Sequence, residues 1–239
     1  MSLINRFSQF ITLDYAAVLL LLISWVLIGY VIDNAKDKRP SVSNLMAQYR
    51  REWMIQMLTR DPRIFDAQIL AMLRQGTSFF ASATMIAIGG CLALLGNTDR
   101  LTGIARDLTL DGNSNIVWDV KILIILIVLA NAFLKFVWSN RLFGYCAVLI
   151  ASVPNDPEHP IALPRAKQAG EINITGARSF NRGLRSVYFA LAAAAWLLGP
   201  WPLIAATLVT CFILIRREFA SQSHKILKHP EHDVTHTYK

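Results

Sequence analysis

Apolar positions gather into four long runs, at 15–32, 75–98, 122–134 and 186–215, and the chain between them is polar and mostly basic. A helix needs about 20 consecutive mostly apolar residues to cross a bilayer. Backbone facing lipid must satisfy its own hydrogen bonds, so such runs fold as helices. The first predicts a span over about 13–32, with Tyr15 and Tyr30 near its ends, where amphipathic rings settle at the interface. The second extends backwards. Pro62 after Asp61 suits a first helical position, and no breaker follows until about Leu95, giving a helix of about 50 Å. The hydrocarbon core is about 30 Å thick, so roughly 20 Å of this helix projects beyond it. A third helix over 116–153 overshoots equally, with Trp118 and Trp138 about 30 Å apart as its interface markers. The pair reads as an antiparallel hairpin across an outer loop of about 97–115, in which Asp111-Gly112 signals a turn. Ala83, Ala87, Gly89 and Gly90 offer the second span a small-residue face for close helix approach.

The fourth run contains Gly199, Pro200 and Pro202. It is one kinked span or two spans joined by a tight turn. Two arms, 180–198 and 202–219, are each about 27 Å as helices, close to a membrane crossing. Gly can close one helix and Pro can open the next. Charge favours two spans: Arg216, Arg217, Lys225, Lys228 and Lys239 follow the run, and a hairpin returns them to the side of the other basic segments. The expected architecture is an all-α polytopic membrane bundle of five spans, or four if the last run is a single helix. Helices two and three extend into the cytoplasm.

The segment between the first two spans is more than a tether. Ser41 or Ser43 can cap a helix of about 42–59, in which Val42, Leu45, Met46, Tyr49, Trp53 and Met57 recur at helical spacing beside Arg50 and Arg51. This amphipathic helix either lies on the membrane surface or packs on the protein's own helices. The stretch "PNDPEHPIALPR" carries four prolines and reads as a loop. Residues 1–220 form one helical domain and 221–239 a polar tail.

Composition agrees with the pattern. Of 239 residues 54% are hydrophobic, and the net charge is +8. Eight Lys or Arg residues lie between 33 and 74 and only Arg6 precedes the first span, so the positive-inside rule predicts an external N-terminus and a cytoplasmic C-terminus. Anionic headgroups are the expected partner of this charge; nucleic acid is not. With no cleavage motif after it, the first run reads as retained. Cys91, Cys146 and Cys211 lie in apolar stretches without metal or redox spacing, and read as packing residues.

Candidate chemistry is sparse. Asn131, Lys135 and Trp138 share a face near the inner edge of the third span, with Arg141 beyond, as an anion or headgroup site or as snorkelling anchors. In "AGEINITGARSFNRGLR", Glu171 precedes Arg178, Arg182 and Arg185 at helical spacing, beside Asn181. Three guanidinium forks on one stripe suit phosphate or carboxylate; the alternative is a basic belt with an internal ion pair. The tail histidines His224, His229, His232 and His236 lack the HExxH spacing of a zinc site. No phosphate-binding glycine loop or nucleophile elbow occurs, so no catalytic residue, cofactor or metal is expected.

"YRREWM", "SFFASATMIAIGG", "FVWSNRLFGYCAVLIASVPN" and "EINITGARSFNRGLRSVYFALAAAAWLLGPWP" resemble the signature segments of the bacterial and plant membrane proteins grouped as domain of unknown function 599. The resemblance covers about residues 10–220. It implies a multi-pass membrane protein and marks Trp53, Arg141 and the 171–185 stretch as motif positions. Three functions stay open. One is a non-enzymatic binding, accessory or scaffold component within a homo-oligomer or larger membrane complex. Another is a small transporter or channel with a basic cytoplasmic mouth, and the third a lipid-headgroup enzyme with Glu171 as base.

Overall fold

The computed structural model describes residues 12–35, 39–97 and 115–228. Among them there is no strand. Six long helices follow in order: α1 (Thr12–Asp33), α2 (Val42–Gln56), α3 (Ile64–Leu95), α4 (Asn115–Ala151), α5 (Ala162–Ala194) and α6 (Pro200–Phe219). A short α7 (Gln222–Lys228) opens the tail. Three of them, α1, α3 and α4, are long and apolar enough to cross a membrane. The expected outer-loop turn and His229, His232 and His236 lie outside the described residues.

The fourth apolar run does break. The end of α5 tightens into a 3-10 turn, Ala195–Leu198, and Gly199 adopts φ 122° and ψ 173°, a backbone region open essentially to glycine alone. Pro200 then opens α6, where a missing N–H costs nothing. The arms run antiparallel. Near the far end of each, Asn181 and Glu218 both bond Ser43, and Arg217 Nη1 donates to the Tyr188 hydroxyl at 3.1 Å.

Two cores stack along the bundle. One is formed by α1, the first half of α4, the second half of α5, and α6, around Ala17, Leu21, Val128, Phe189 and Leu203. The other lies past Asp33 at the basic end, where the overlong α3 and α4 meet α2 and the start of α5 around Met54, Met57, Leu70, Phe143 and Ala166. The most extensive helix contact joins α4 to α5. There α5 presents Gly176 and Gly183 to Phe143 and Phe136. Small residues let helices come close where lipid offers no hydrophobic drive. The small residues expected to do this in α3 do not: Ala83, Ala87, Gly89 and Gly90 are exposed, and nothing stands within 4 Å of a Cβ built on either glycine. The interface of α3 with α4 uses the face of Leu70, Thr77 and Thr84, which recur every seven residues and are buried, with Thr77 accepting from Asn140 of α4.

Helix ends correct three further expectations. The Asp61–Pro62 peptide is cis, and α3 begins at Ile64, past the proline. Pro164 lies inside the first turn of α5, where its N–H would have no helical partner, so the proline-rich loop ends at Ile161. Trp118, expected at the lipid interface, is buried at 7% exposure, whereas Trp138 is 48% exposed. The amphipathic helix packs inwards. Ser41 caps α2 by accepting from Asn44 N at 3.3 Å, and Leu45, Ala47 and Met54 are buried, chiefly against α5. Met46 and Tyr49 remain exposed.

Candidate functional groove

At the basic end α2 does not close completely on its neighbours. A groove of about 600 Å3 remains between the first half of α2, the middle of α5, residues 72–77 of α3 and the end of α6. Met46, Met72, Leu73, Phe180 and Leu184 supply apolar wall, and methionine's flexible thioether makes such a wall adaptable. Arg50, Arg178 and Arg217 supply guanidinium groups, and Asn181, Ser43, Ser221 and Ser223 supply neutral polar ones.

The acid in this groove is already engaged. Glu218, 5% exposed, accepts from the Ser43 N–H at 3.2 Å and its hydroxyl at 3.1 Å. The carboxylate thus sits at the N-terminus of α2, where the helix dipole favours negative charge. Its other oxygen is 3.9 Å from Arg217, whose guanidinium also lies over the Tyr188 ring. Arg50 donates to the neutral Asn173 side chain. Burial lowers its affinity for the proton, as expected of a cation without a compensating acid. Neither Arg50 nor Arg178 belongs to an ion pair among the described residues.

The expected arginine stripe on α5 therefore divides. Arg178 faces the groove. Arg182 and Arg185 grip the two oxygens of Asp33 at 2.7 and 2.8 Å, tying α5 to the end of α1. Arg50 and Arg217, from helices far apart in sequence, take their places. Asn181 lines the groove and donates to Ser43 at 3.2 Å. Glu171 is outside it: its side chain, 58% exposed, pairs with Arg51 at 2.6 Å. That bond is the main cause holding its carboxyl below the ordinary range, the reverse of what a general base at neutral pH needs. An exposed pair of this kind contributes at most about 1 kcal/mol.

The other expected residues fall elsewhere. Trp53 donates to Asp66 at 2.6 Å. Asp66 is fully buried, also takes Arg60, and was not singled out by spacing; its one local signal is an acid in the first turn of α3. Asn131 accepts from Ser186 at 3.2 Å, and Ser186 accepts from Trp25 at 3.3 Å. The Lys135 carbonyl accepts from Ser179 at 2.9 Å. Arg141 is exposed, with its guanidinium 5.9 Å from the Tyr145 ring. Arg63, one of the orienting charges between 33 and 74, and Arg165 donate to the carbonyls of residues 152–154, just past the end of α4.

A second polar cluster occupies the opposite end. Asp14 accepts from Trp196 at 2.7 Å, and buried Lys121 lies between the Trp118 and Trp196 rings. Between this cluster and Asn131 stand Leu21, Ile125, Val128 and Phe189, all buried.

The family model described as "Protein of unknown function, DUF599" matches residues 16–223. The chain belongs to the DUF599 family. The match includes every residue that lines the groove, from Val42 to Ser223. No curated protein and no solved structure matches the chain.

Proposed function

We propose that this DUF599 protein is a five-span inner-membrane protein that binds an anionic amphiphile, a phosphate-bearing lipid, in the groove at its cytoplasmic end. The observation carrying this reading is that two groove guanidinium groups, Arg50 and Arg178, have no salt-bridge partner among the described residues and line the same groove as an apolar wall. Guanidinium forks match phosphate oxygens, and the wall suits an acyl chain. Position supports it too. In a five-span arrangement, with about 20 residues of each helix in hydrocarbon, groove residues 72–77, 177–184 and 217–223 would lie near the inner ends of their spans, where headgroups begin. The action is binding, not turnover, because the groove's one acid is committed to Ser43 and Arg217.

Arg178→Gln and Arg50→Gln should each weaken retention of anionic phospholipid by about tenfold, the loss of one charge-assisted contact. Lys228→Gln, which removes an exposed positive charge outside the groove, should leave it unchanged. Native mass spectrometry of the detergent-solubilised chain reads this out. Equal retention by all three variants would remove the groove from lipid binding.

The orientation rests on charge. A reporter fused after Lys239 is expected to read cytoplasmic, on the same side as one inserted in the loop between α4 and α5. An external signal at the C-terminus would contradict the five-span arrangement. A second reading, a homo-oligomer or an accessory subunit of a larger complex, has one supporting feature: α3 packs chiefly on α4 and leaves most of its apolar surface uncovered.

A further inference from the structure

We infer that the groove selects a phosphomonoester headgroup, such as that of phosphatidic acid, over the phosphodiester headgroups of ordinary anionic lipids. The inference rests on the lipid-binding reading above and narrows it by charge. Arg50, Arg178, Arg217 and Glu218 are the charged residues among the groove's lining. Glu218 and Arg217 lie 3.9 Å apart and offset one another. Neither of the remaining two guanidiniums forms an ion pair: Arg50 leans on the neutral Asn173 amide, and Arg178 faces the groove, feeling only at longer range the Glu171 carboxylate, which Arg51 already holds at 2.6 Å.

A phosphodiester brings one negative charge and leaves one of these cations uncompensated. A phosphomonoester brings between about 1.5 and 2 negative charges at neutral pH, together with a third terminal oxygen. It can therefore satisfy both guanidiniums at once, with an oxygen left for the hydroxyls of Ser221 or Ser223, which also line the groove. Partial burial sharpens the distinction, since an unmatched cation costs more where water is scarce. His224 adjoins the groove on α7, but its Nε2 lies 2.9 Å from the Pro40 carbonyl, so the imidazole is occupied with the α1–α2 connection.

The test titrates the full chain in detergent with short-chain phosphatidic acid, short-chain phosphatidylglycerol and inorganic phosphate, read by native mass spectrometry. Phosphatidic acid should bind about tenfold more tightly than phosphatidylglycerol. Its advantage should shrink as the pH falls through about 6, where the second phosphate proton binds. Arg178 is exposed, so Arg178→Gln should fold normally, and it should abolish the preference. A melting temperature unchanged from the parent confirms the fold. Equal affinity for the two lipids would overturn the phosphomonoester inference and leave the lipid reading standing. Binding of neither lipid nor phosphate would overturn both. Tight binding of inorganic phosphate alone would support phosphomonoester recognition and move its source from the membrane to solution.

Discussion

Replacing Asp33 with alanine is expected to destabilise the helical bundle by about 3–5 kcal/mol, the penalty for stranding a buried charge. The Arg185 side chain is 5% exposed and its ion-pair partner is Asp33 at 2.8 Å. Removing the carboxylate leaves that guanidinium at the boundary between the two cores with no counter-ion. Arg182, half exposed on the other carboxylate oxygen, makes the contrast: Arg182→Ala should cost no more than about 1 kcal/mol. Adding Arg185→Leu to Asp33→Ala should recover much of the loss, because an apolar pair of similar volume often replaces a buried ion pair at little cost. Chemical denaturation of the detergent-solubilised variants measures all three. Equal small losses from Asp33→Ala and Arg182→Ala would show that water reaches Arg185.

Gly183→Ala is the second large effect. A Cβ at this position would stand 2.7 to 3.0 Å from three atoms of the Phe136 ring. That ring is fully buried and held by Phe80 and Phe180, each with its centroid 5.5 Å away, so it has little room to retreat. Overpacking of this kind costs about 1–3 kcal/mol, against at most about 1 kcal/mol regained in helix propensity. Gly183→Val carries more bulk and lower propensity, which makes the sign unambiguous. Gly90→Ala is the control: a Cβ there meets nothing within 4 Å, and stability should hold or rise slightly. If Gly183→Val melts with the parent, the close contact of α4 with α5 is not as described.

Local signals carried much of this architecture. The overlong α3 and α4, the amphipathic α2 and the break at Gly199 all follow from run length, period and helix-ending residues, which depend on neighbours along the chain. What spacing could not reveal was partner choice. Arg178, Arg182 and Arg185 are equivalent on a helical projection, yet Asp33, some 150 positions away, claims two of them and leaves one to the groove. Arg50 and Arg217 read as orienting charges until the folding of α2 and α6 onto α5 brings them together. Glu171, the one acid of its stretch, invites a chemical role, but Arg51 from another helix reduces it to an exposed ion pair. The small residues of α3 and those of α5 look alike in sequence. Only the large side chains of the facing helix, Phe136 and Phe143, distinguish the pair that is used.

Lipid binding at the groove is most directly tested by an experimental structure of the chain in nanodiscs containing phosphatidic acid. Density for a headgroup phosphate is expected against the guanidiniums of Arg50 and Arg178, with an acyl chain along Met46, Met72 and Leu184. A groove filled by a segment of protein, or holding only acyl density with the arginines turned away to solvent, would contradict it.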